Sequence, residues 1–277
     1  MSLLKDGVKR VAPGLFRALK NVYKQREFRT KHGGSEYRAK MALVNEYGKK
    51  VIQGPFAGMA YGDNVLCSAY VAKLVGSYEE ELHPIVEEII QSKPTRVIDI
   101  GCAEGYYAVG FGTRLPNAEV YAFDIEEEAQ GYCADLAKLN RIQDRVHISG
   151  LCTPETLVEL TRTPAFVLCD CEGCEQDVLD PAKTPSLAHC ILLIELHDFI
   201  IPGLTPCLVA RFEKTHRVQL IDTVERDPAK YAVLHNVEEA DRYPAVREGR
   251  PAAMQWAYLT PLASGATGSA RKAQGGA

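Results

Sequence analysis

The sequence predicts a doubly wound α/β fold, in which a mainly helical N-terminal extension precedes a seven-stranded and mostly parallel sheet. The first observation is that seven short apolar runs alternate with helical or polar stretches from Arg96 onward, as in right-handed βαβ units. The second is a glycine-rich turn directly after the first run. The runs are Val97–Ile100, Val120–Phe123, Val146–Ile148, Phe166–Cys169, Ile191–Leu196, Val218–Ile221 and Met254–Leu259.

The boundaries of the predicted regions follow from changes in this pattern. The last apolar run follows a polar stretch, residues 225–253, with little helical periodicity, so we expect it to return as an antiparallel strand. We place the α/β domain at residues 91–262. Residues 1–90 are the mainly helical extension, a lid or an interface, with a helix from Tyr78 to Gln91. Residues 263–277 are small and polar, which predicts a disordered tail.

The N-terminal part of the extension is basic, since residues 1–50 carry thirteen Lys or Arg against four Asp or Glu. In residues 2–29, apolar side chains recur along one helical face, although Pro13 interrupts the stripe. Such a helix can pack onto its own core, lie on a membrane surface or dock on an anionic partner. The chain shows no secretory signal and no apolar run of about 20 residues. We interpret its nine cysteines as buried, reduced thiols of a cytoplasmic protein.

A glycine-rich turn, Asp99-Ile-Gly101-Cys-Ala-Glu-Gly105, follows the first predicted strand. Glycine permits a sharp turn and a close approach to a ligand, and the N-terminus of the next helix offers unpaired N–H groups. The second strand ends at Asp124, 23 residues beyond Gly101, a spacing at which a carboxylate can accept hydrogen bonds from ribose hydroxyls. These features predict a cofactor that contains a nucleoside.

Both NAD and S-adenosylmethionine (SAM) are compatible with that spacing. The turn lacks the G-x-G-x-x-G pattern that a pyrophosphate requires, whereas SAM carries no phosphate. Asp99 also suits the positively charged amino-acid end of SAM, so the sequence favours SAM. The predicted cofactor contacts are Asp99, Gly101, Ala103, Glu104, Gly105, Asp124, Ile125, Cys152 and Asp170.

The motifs D-I-G-C-A-E-G, F-D-I and R-V-H-I-S-G resemble motifs I to III of class I SAM-dependent methyltransferases. Two later segments, L-C-D-C-E-G-C-E from Leu168 and L-I-E-L-H-D from Leu193, are similar to the D-x-E-G-x-E and I-E-x-H elements of FkbM-like methyltransferases. The resemblance covers roughly residues 90–262. It implies a Rossmann-like fold and methylation of hydroxyls on sugars or secondary metabolites. Many relatives hold the adenine amine with an acidic residue after the third strand; here a main-chain group or Cys152 would do so.

The reaction site is expected where strands four and five end. In open α/β sheets that edge binds ligands, and it brings together Asp170, Glu172, Glu195, His197 and Asp198. Methyl transfer is an in-line displacement, so catalysis requires positioning and removal of the acceptor proton. His197 is the predicted base, because a free histidine has a pKa near 6.5. Asp170 is expected to border the sulfonium and orient the acceptor. Glu172 completes the predicted catalytic set.

These residues also have structural interpretations. Asp170 would then cap a turn and Glu172 would cap the following helix. Glu195 would be a salt-bridged carboxylate of the core, and His197 a histidine whose hydrogen bonds are satisfied behind the site. The carboxylate–histidine group would also suit Mg²⁺, which the sequence does not favour. The spacing of Cys169-x-Cys171-x-x-Cys174 is compatible with a metal, but no second pair of ligands completes a tetrahedral set, so packed thiols are favoured.

One further segment, Gly54–Tyr61, has two interpretations. Its glycines and the apolar Phe56, Met59 and Tyr61 would form either a lid over the acceptor or an internal packing loop.

The predicted function is O-methylation of a small molecule or glycan, and a homo-oligomer is compatible with the sequence. A nucleic-acid methyltransferase is the first alternative, suggested by the basic N-terminal segment. No N-P-P-Y-type element follows strand four, which argues against nucleic acid as a partner. The second alternative is a non-catalytic SAM-binding scaffold that docks on a membrane or partner through its basic helix.

Overall fold

The computed structural model describes residues 34–63, 69–250 and 254–262. The basic stripe in residues 2–29 and the tail at 263–277 lie outside these residues. Within its described residues, the extension contains two helices, α1 (Ser35–Tyr47) and α2 (Tyr70–Val75). A 3-10 turn (Glu80–Leu82) then runs directly into a third helix, α3 (His83–Ser92). A helix therefore occupies most of the segment predicted at Tyr78–Gln91. No helix in the described part of the chain is long and apolar enough to cross a membrane.

From Arg96 onward strands and helices alternate, as the apolar runs predict. The elements are β1 (Arg96–Ile100), α4 (Tyr106–Arg114), β2 (Glu119–Phe123), α5 (Glu127–Leu139), β3 (Val146–Ser149), α6 (Pro154–Leu160), β4 (Phe166–Cys169), α7 (Glu175–Val178), β5 (Ile191–Leu196), α8 (Leu204–Phe212), β6 (His216–Asp222), α9 (Glu239–Val246) and β7 (Gln255–Pro261). All seven predicted strands are present.

The strands form one sheet in the order β3-β2-β1-β4-β5-β7-β6. The first five strands are parallel, and β7 lies antiparallel between β5 and β6. The strand order reverses between β1 and β4, which opens a crevice at their carboxyl ends. The Rossmann-like, doubly wound fold and its antiparallel last strand are confirmed.

The segment before β7 differs from the prediction because it contains α9. Pro244 lies inside this helix, and a proline has no N–H to donate and weakens a helical pattern. The helix contacts the extension, since Arg38 of α1 donates to both carboxylate oxygens of Asp241 at 2.6 Å. The extension therefore packs onto the α/β domain.

Hydrophobic side chains cover both faces of the central strands. Val97 and Phe166 belong to the core on one face, and Ile98 and Val167 to the core on the other. Such alternation within wholly apolar runs is expected of parallel strands with helices on both sides. Each large apolar side chain buried in this way contributes about 1.5–3 kcal/mol.

The segment Gly54–Tyr61 belongs to the first of these cores. The ring of Phe56 contacts the edges of Tyr106 and Phe111, with centroid distances of 5.4 and 5.3 Å. Met59 and Tyr61 are also buried. Of the two interpretations of this segment, the structure shows the packing loop.

Candidate active site

Main-chain hydrogen bonds hold the glycine-rich turn between β1 and α4. The N–H groups of Gly101 and Cys102 both donate to the carbonyl of Phe123, at 2.8 and 3.0 Å. Gly101 has φ +88°, and a Cβ at this position would lie 1.7 Å from the carbonyl oxygen of Asp170. Only glycine fits this close approach between β1 and β4. The turn is therefore a cradle of backbone atoms at the switch point of the sheet.

Asp124 fastens the turn to the end of β2. Its carboxylate accepts hydrogen bonds from the N–H groups of Ala103 and Glu126, both at 2.9 Å. A carboxylate has about four lone-pair sites, so acceptor capacity remains for a ligand hydroxyl. The next residue, Ile125, is 72% exposed, and Leu151 after the neighbouring strand β3 is 66% exposed. These two side chains offer apolar surface for a planar base.

Asp99 lies beneath the turn, and its carboxyl group is buried with only the N–H of Ala108 to offset the effect of burial on its pKa. The residue is 2% exposed, and neither carboxylate oxygen has a hydrogen-bond partner among the described residues. Burial raises the pKa of Asp99 to about 7. An unpaired buried carboxylate is costly to a protein, so this one calls for a cationic or hydrogen-bonding ligand.

Two other predicted cofactor contacts have side chains that the protein itself uses. Glu104 is buried in an ion pair with Lys73 and accepts a hydrogen bond from the hydroxyl of Tyr61 at 2.7 Å. Cys152 packs in the core beside Leu157, and burial raises the pKa of its thiol to about 12. A cofactor contact by either residue would therefore come from its main chain.

The ends of β4 and β5 carry a cluster around His197, which is 2% exposed. Nδ1 lies 2.6 Å from Oε1 of Glu175, and Nε2 lies 3.2 Å from Oε2 of Glu195 and 3.6 Å from Oδ1 of Asp170. Burial alone would lower the pKa of His197, but the hydrogen bonds to Glu175 and Glu195 raise it to about 9. These carboxylates therefore favour the imidazolium form of His197 at neutral pH.

A half-buried arginine completes the cluster on its far side. Arg250 donates to Oε1 of Glu195 at 2.6 Å, to Oε1 of Glu79 at 2.7 Å and to Oε2 of Glu248 at 2.8 Å. Burial would raise the pKa of Glu195, but hydrogen bonds from His197 and Asp170 and the charge of Arg250 lower it to about 2. Glu195 is therefore an ionised carboxylate between two cations.

Sequence reasoning missed the contribution of Arg250 and Glu79 to the site. Glu79 is buried with φ +49°, a conformation that few non-glycine residues adopt, and burial raises its pKa to about 7. The available signal was an acidic run, Glu79–Glu81, and a later segment that carries two arginines, Arg247 and Arg250. Such runs usually indicate solvated surface, so their pairing across the fold could not be deduced.

The predicted site residues Glu172 and Asp198 lie outside the contacts of His197. Glu172 is exposed in the turn after β4, with φ +51°. Asp198 accepts hydrogen bonds from Thr205 and so caps the start of α8. The structure brings Glu175 to His197 instead.

The prediction that all cysteines are free thiols is wrong for two of them. Cys171 and Cys174 form a disulfide, with their Cα atoms 5.6 Å apart, a separation that a disulfide readily spans. The tight turn after β4 brings the two residues together, which their spacing alone did not require. Cys169 stays a buried free thiol, and its Sγ lies 3.6 Å from that of Cys171.

No family model matches the chain. Its fold is similar to an O-methyltransferase from Bacillus cereus in complex with SAH, at 12% identity and a TM-score of 0.45, over 64% of this chain and 78% of that one. It is also similar to an rRNA methylase from Streptococcus thermophilus (14%, TM-score 0.43, 66% and 98%) and to a precorrin-6y C5,15-methyltransferase from Geobacter metallireducens (13%, 0.41, 65% and 88%).

Proposed function

We propose that this protein is a SAM-dependent methyltransferase that methylates a hydroxyl of a small molecule or sugar. The observation that carries the proposal is the unpaired, buried carboxylate of Asp99 beneath the Gly101 turn. SAM supplies an electrophilic methyl group on a sulfonium and presents an ammonium group at its amino-acid end. Asp99 fits that positive end, Asp124 fits the ribose hydroxyls, and Ile125 fits one face of the adenine.

The same residues argue against NAD. A pyrophosphate needs several main-chain N–H groups and tolerates no uncompensated negative charge nearby. The N–H groups of Gly101 and Cys102 already donate to Phe123, and that of Ala103 donates to Asp124. The unpaired Asp99 would add electrostatic repulsion. A cationic cofactor removes this conflict.

The cluster at the ends of β4 and β5 would bind the acceptor and take its proton. His197 keeps its own proton at neutral pH, so its predicted role as base first requires that proton to leave. Burial and the adjoining Glu195 raise the pKa of Asp170 well above that of an ordinary carboxyl group. Asp170 in turn donates a hydrogen bond to Glu195, so it too must lose a proton before it can accept one. The roles of His197 as base, of Asp170 in orienting the acceptor and of Glu172 stay predictions.

A polar cavity on the β6 side supports a small acceptor. It has a volume of about 370 Å³, and its wall includes Thr223, Tyr243, Arg247 and Arg250. Arg250 joins this cavity to the cluster, because its guanidinium contacts Glu195. Hydroxyl, guanidinium and carboxylate groups on one wall suit a molecule rich in hydroxyls, such as a sugar.

Calorimetry with SAM, S-adenosylhomocysteine and NAD tests the cofactor. We expect both sulfur compounds to bind and NAD to show no heat of binding. Tight binding of NAD without binding of SAM would overturn the proposal.

The acceptor class is tested by transfer of labelled methyl groups from SAM to sugars, phenols and RNA. We expect labelled methyl groups on small molecules that bear hydroxyls. A label that is stable to alkali identifies the product as an ether. Label confined to RNA would support the nucleic-acid alternative. SAM binding without transfer to any fraction would support the scaffold.

A further inference from the structure

We propose that Asp170, Glu195 and His197 bind one divalent transition-metal cation, such as Mn²⁺, on the acceptor side of the crevice. The three residues offer two carboxylate oxygens and a ring nitrogen that all lie within 4.8 Å of one another. This metal site goes beyond the proposed methyltransferase function. Only the role of the bound cation in the reaction rests on that function.

The distances between the ligand atoms suit a shared ion. Nε2 of His197 lies 3.2 Å from Oε2 of Glu195 and 3.6 Å from Oδ1 of Asp170. Two ligands that each lie about 2.0–2.2 Å from one metal ion are separated by about 3–3.6 Å at tetrahedral or octahedral angles. The ligand atoms therefore need little movement to share a cation.

Residues behind two of the ligands hold them in orientation. Oε1 of Glu175 accepts from Nδ1 of His197 at 2.6 Å, which directs Nε2 toward the other two ligands. Arg250 holds Oε1 of Glu195 at 2.6 Å and leaves Oε2 on the side of His197. A carboxylate on the second ring nitrogen is the usual partner of a metal-bound histidine. Glu175 and Arg250, which are far apart in the sequence, thus hold the ligand atoms of His197 and Glu195 in place.

Carboxyl groups outnumber cationic groups in and around the cluster. Two guanidiniums, Arg226 and Arg250, and the imidazole of His197 face six carboxylates. These carboxylates are Glu79, Glu81, Asp170, Glu175, Glu195 and Glu248. In addition, Oε2 of the fully buried Glu175, whose other oxygen contacts His197, has no hydrogen-bond partner in the described part of the chain. A divalent cation would compensate this excess directly.

Exposure and ligand type indicate the entry path and the class of ion. The side chain of Asp170 is 30% exposed, whereas those of Glu195 and His197 are 7% and 3% exposed. The cation would therefore enter past Asp170, and its open positions would face the acceptor. The two carboxylates suit Mn²⁺ and the imidazole suits Fe²⁺ or Zn²⁺, whereas Ca²⁺ prefers oxygen ligands only. A cation here lowers the pKa of an acceptor hydroxyl bound to it.

The experiment titrates chelator-treated, full-length protein with Mn²⁺ and follows free Mn²⁺ by electron paramagnetic resonance. We expect one Mn²⁺ per chain, with a nitrogen coupling from a bound imidazole in the pulsed spectrum. Asp170→Asn and His197→Gln each remove a ligand and should weaken binding at least about tenfold, and Glu175→Gln by about tenfold or more. Asp177→Asn, an exposed carboxylate on the same helix as Glu175, is the matched control and should bind Mn²⁺ as the unaltered protein does.

Failure to bind Mn²⁺ would overturn the inference, as would binding without nitrogen coupling or binding that both ligand variants retain. The coupling is measured on the unaltered protein, so the test stays decisive if a variant does not fold. SAM calorimetry on the same sample separates the two proposals. Binding of SAM without Mn²⁺ removes only the metal site, and binding of Mn²⁺ without SAM removes only the methyltransferase proposal.

Discussion

The β1–β2 half of the crevice and its β4–β5 half hold their polar groups by different means. In the first half, main-chain amides and glycine shape the turn around Gly101, and Asp99 stays unpaired. In the second, each carboxylate or imidazole around His197 is held by another buried side chain. The first half is ready for a ligand at a cost in stability, whereas the second depends on long-range ion pairs for its geometry. Four substitutions test this contrast.

The largest expected effect is that of Arg250→Met in the second half. The substitution leaves Glu79, Glu195 and Glu248 without their shared partner, and we expect the free energy of unfolding to fall by about 3–5 kcal/mol. Urea denaturation at pH 7 measures this. The control, Arg162→Met, removes an exposed pair with Glu159 and should cost less than about 1 kcal/mol. Equal losses in the two variants would show that the buried pairs contribute little.

Gly101→Ala tests the backbone cradle of the first half. The new Cβ would meet the carbonyl oxygen of Asp170 at 1.7 Å, and φ +88° is unfavourable for alanine. We expect a loss of about 2–4 kcal/mol in unfolding free energy and no measurable SAM binding. Gly62→Ala is the control, because its nearest atom, in Leu139, is 3.9 Å away. SAM affinity that survives in Gly101→Ala would contradict the assignment of the turn.

Asp99→Asn should affect stability in a way that depends on pH. Burial raises the pKa of Asp99 to about 7, so the folded state binds a proton that the unfolded chain releases above its ordinary pKa near 4. The unaltered protein should therefore lose stability as pH rises from about 4 to 7, by on the order of 4 kcal/mol more than the variant does. Thermal unfolding from pH 4.5 to 8 measures the difference. Parallel curves for the two proteins would exclude an uncompensated carboxylate at this position.

Asp124→Asn should have the smallest effect. The amide keeps one acceptor oxygen for the N–H of Ala103 but loses the charge that favours ribose hydroxyls. We expect SAM affinity to fall about tenfold with little change in stability. Asp144→Asn, an exposed carboxylate before β3, is the calorimetric control. An unchanged SAM affinity in Asp124→Asn would remove Asp124 from the cofactor site.

The contrast between the halves also explains what could be predicted from the sequence. The seven strands and the turn at Gly101 are local features, since apolar runs and glycine act within a few residues. Asp170 and His197 could be placed at one edge because parallel strands end together. The Glu79–Arg250 pair joins residues 171 positions apart, and no local pattern reports such a contact. The Cys171–Cys174 disulfide was missed because buried thiols and a bonded pair have the same sequence pattern.

The place of β7 between β5 and β6 has a consequence for the order of assembly. Glu195 on β5 pairs with Arg250, which lies 55 residues further along the chain and is therefore synthesised later. Arg250 directly precedes the segment that leads to β7. During synthesis the β1–β2 half of the crevice can take shape while the later segment is still in the ribosome. A nascent chain would thus pass through a stage at which the turn around Gly101 has formed but Arg250 has not yet paired with Glu195.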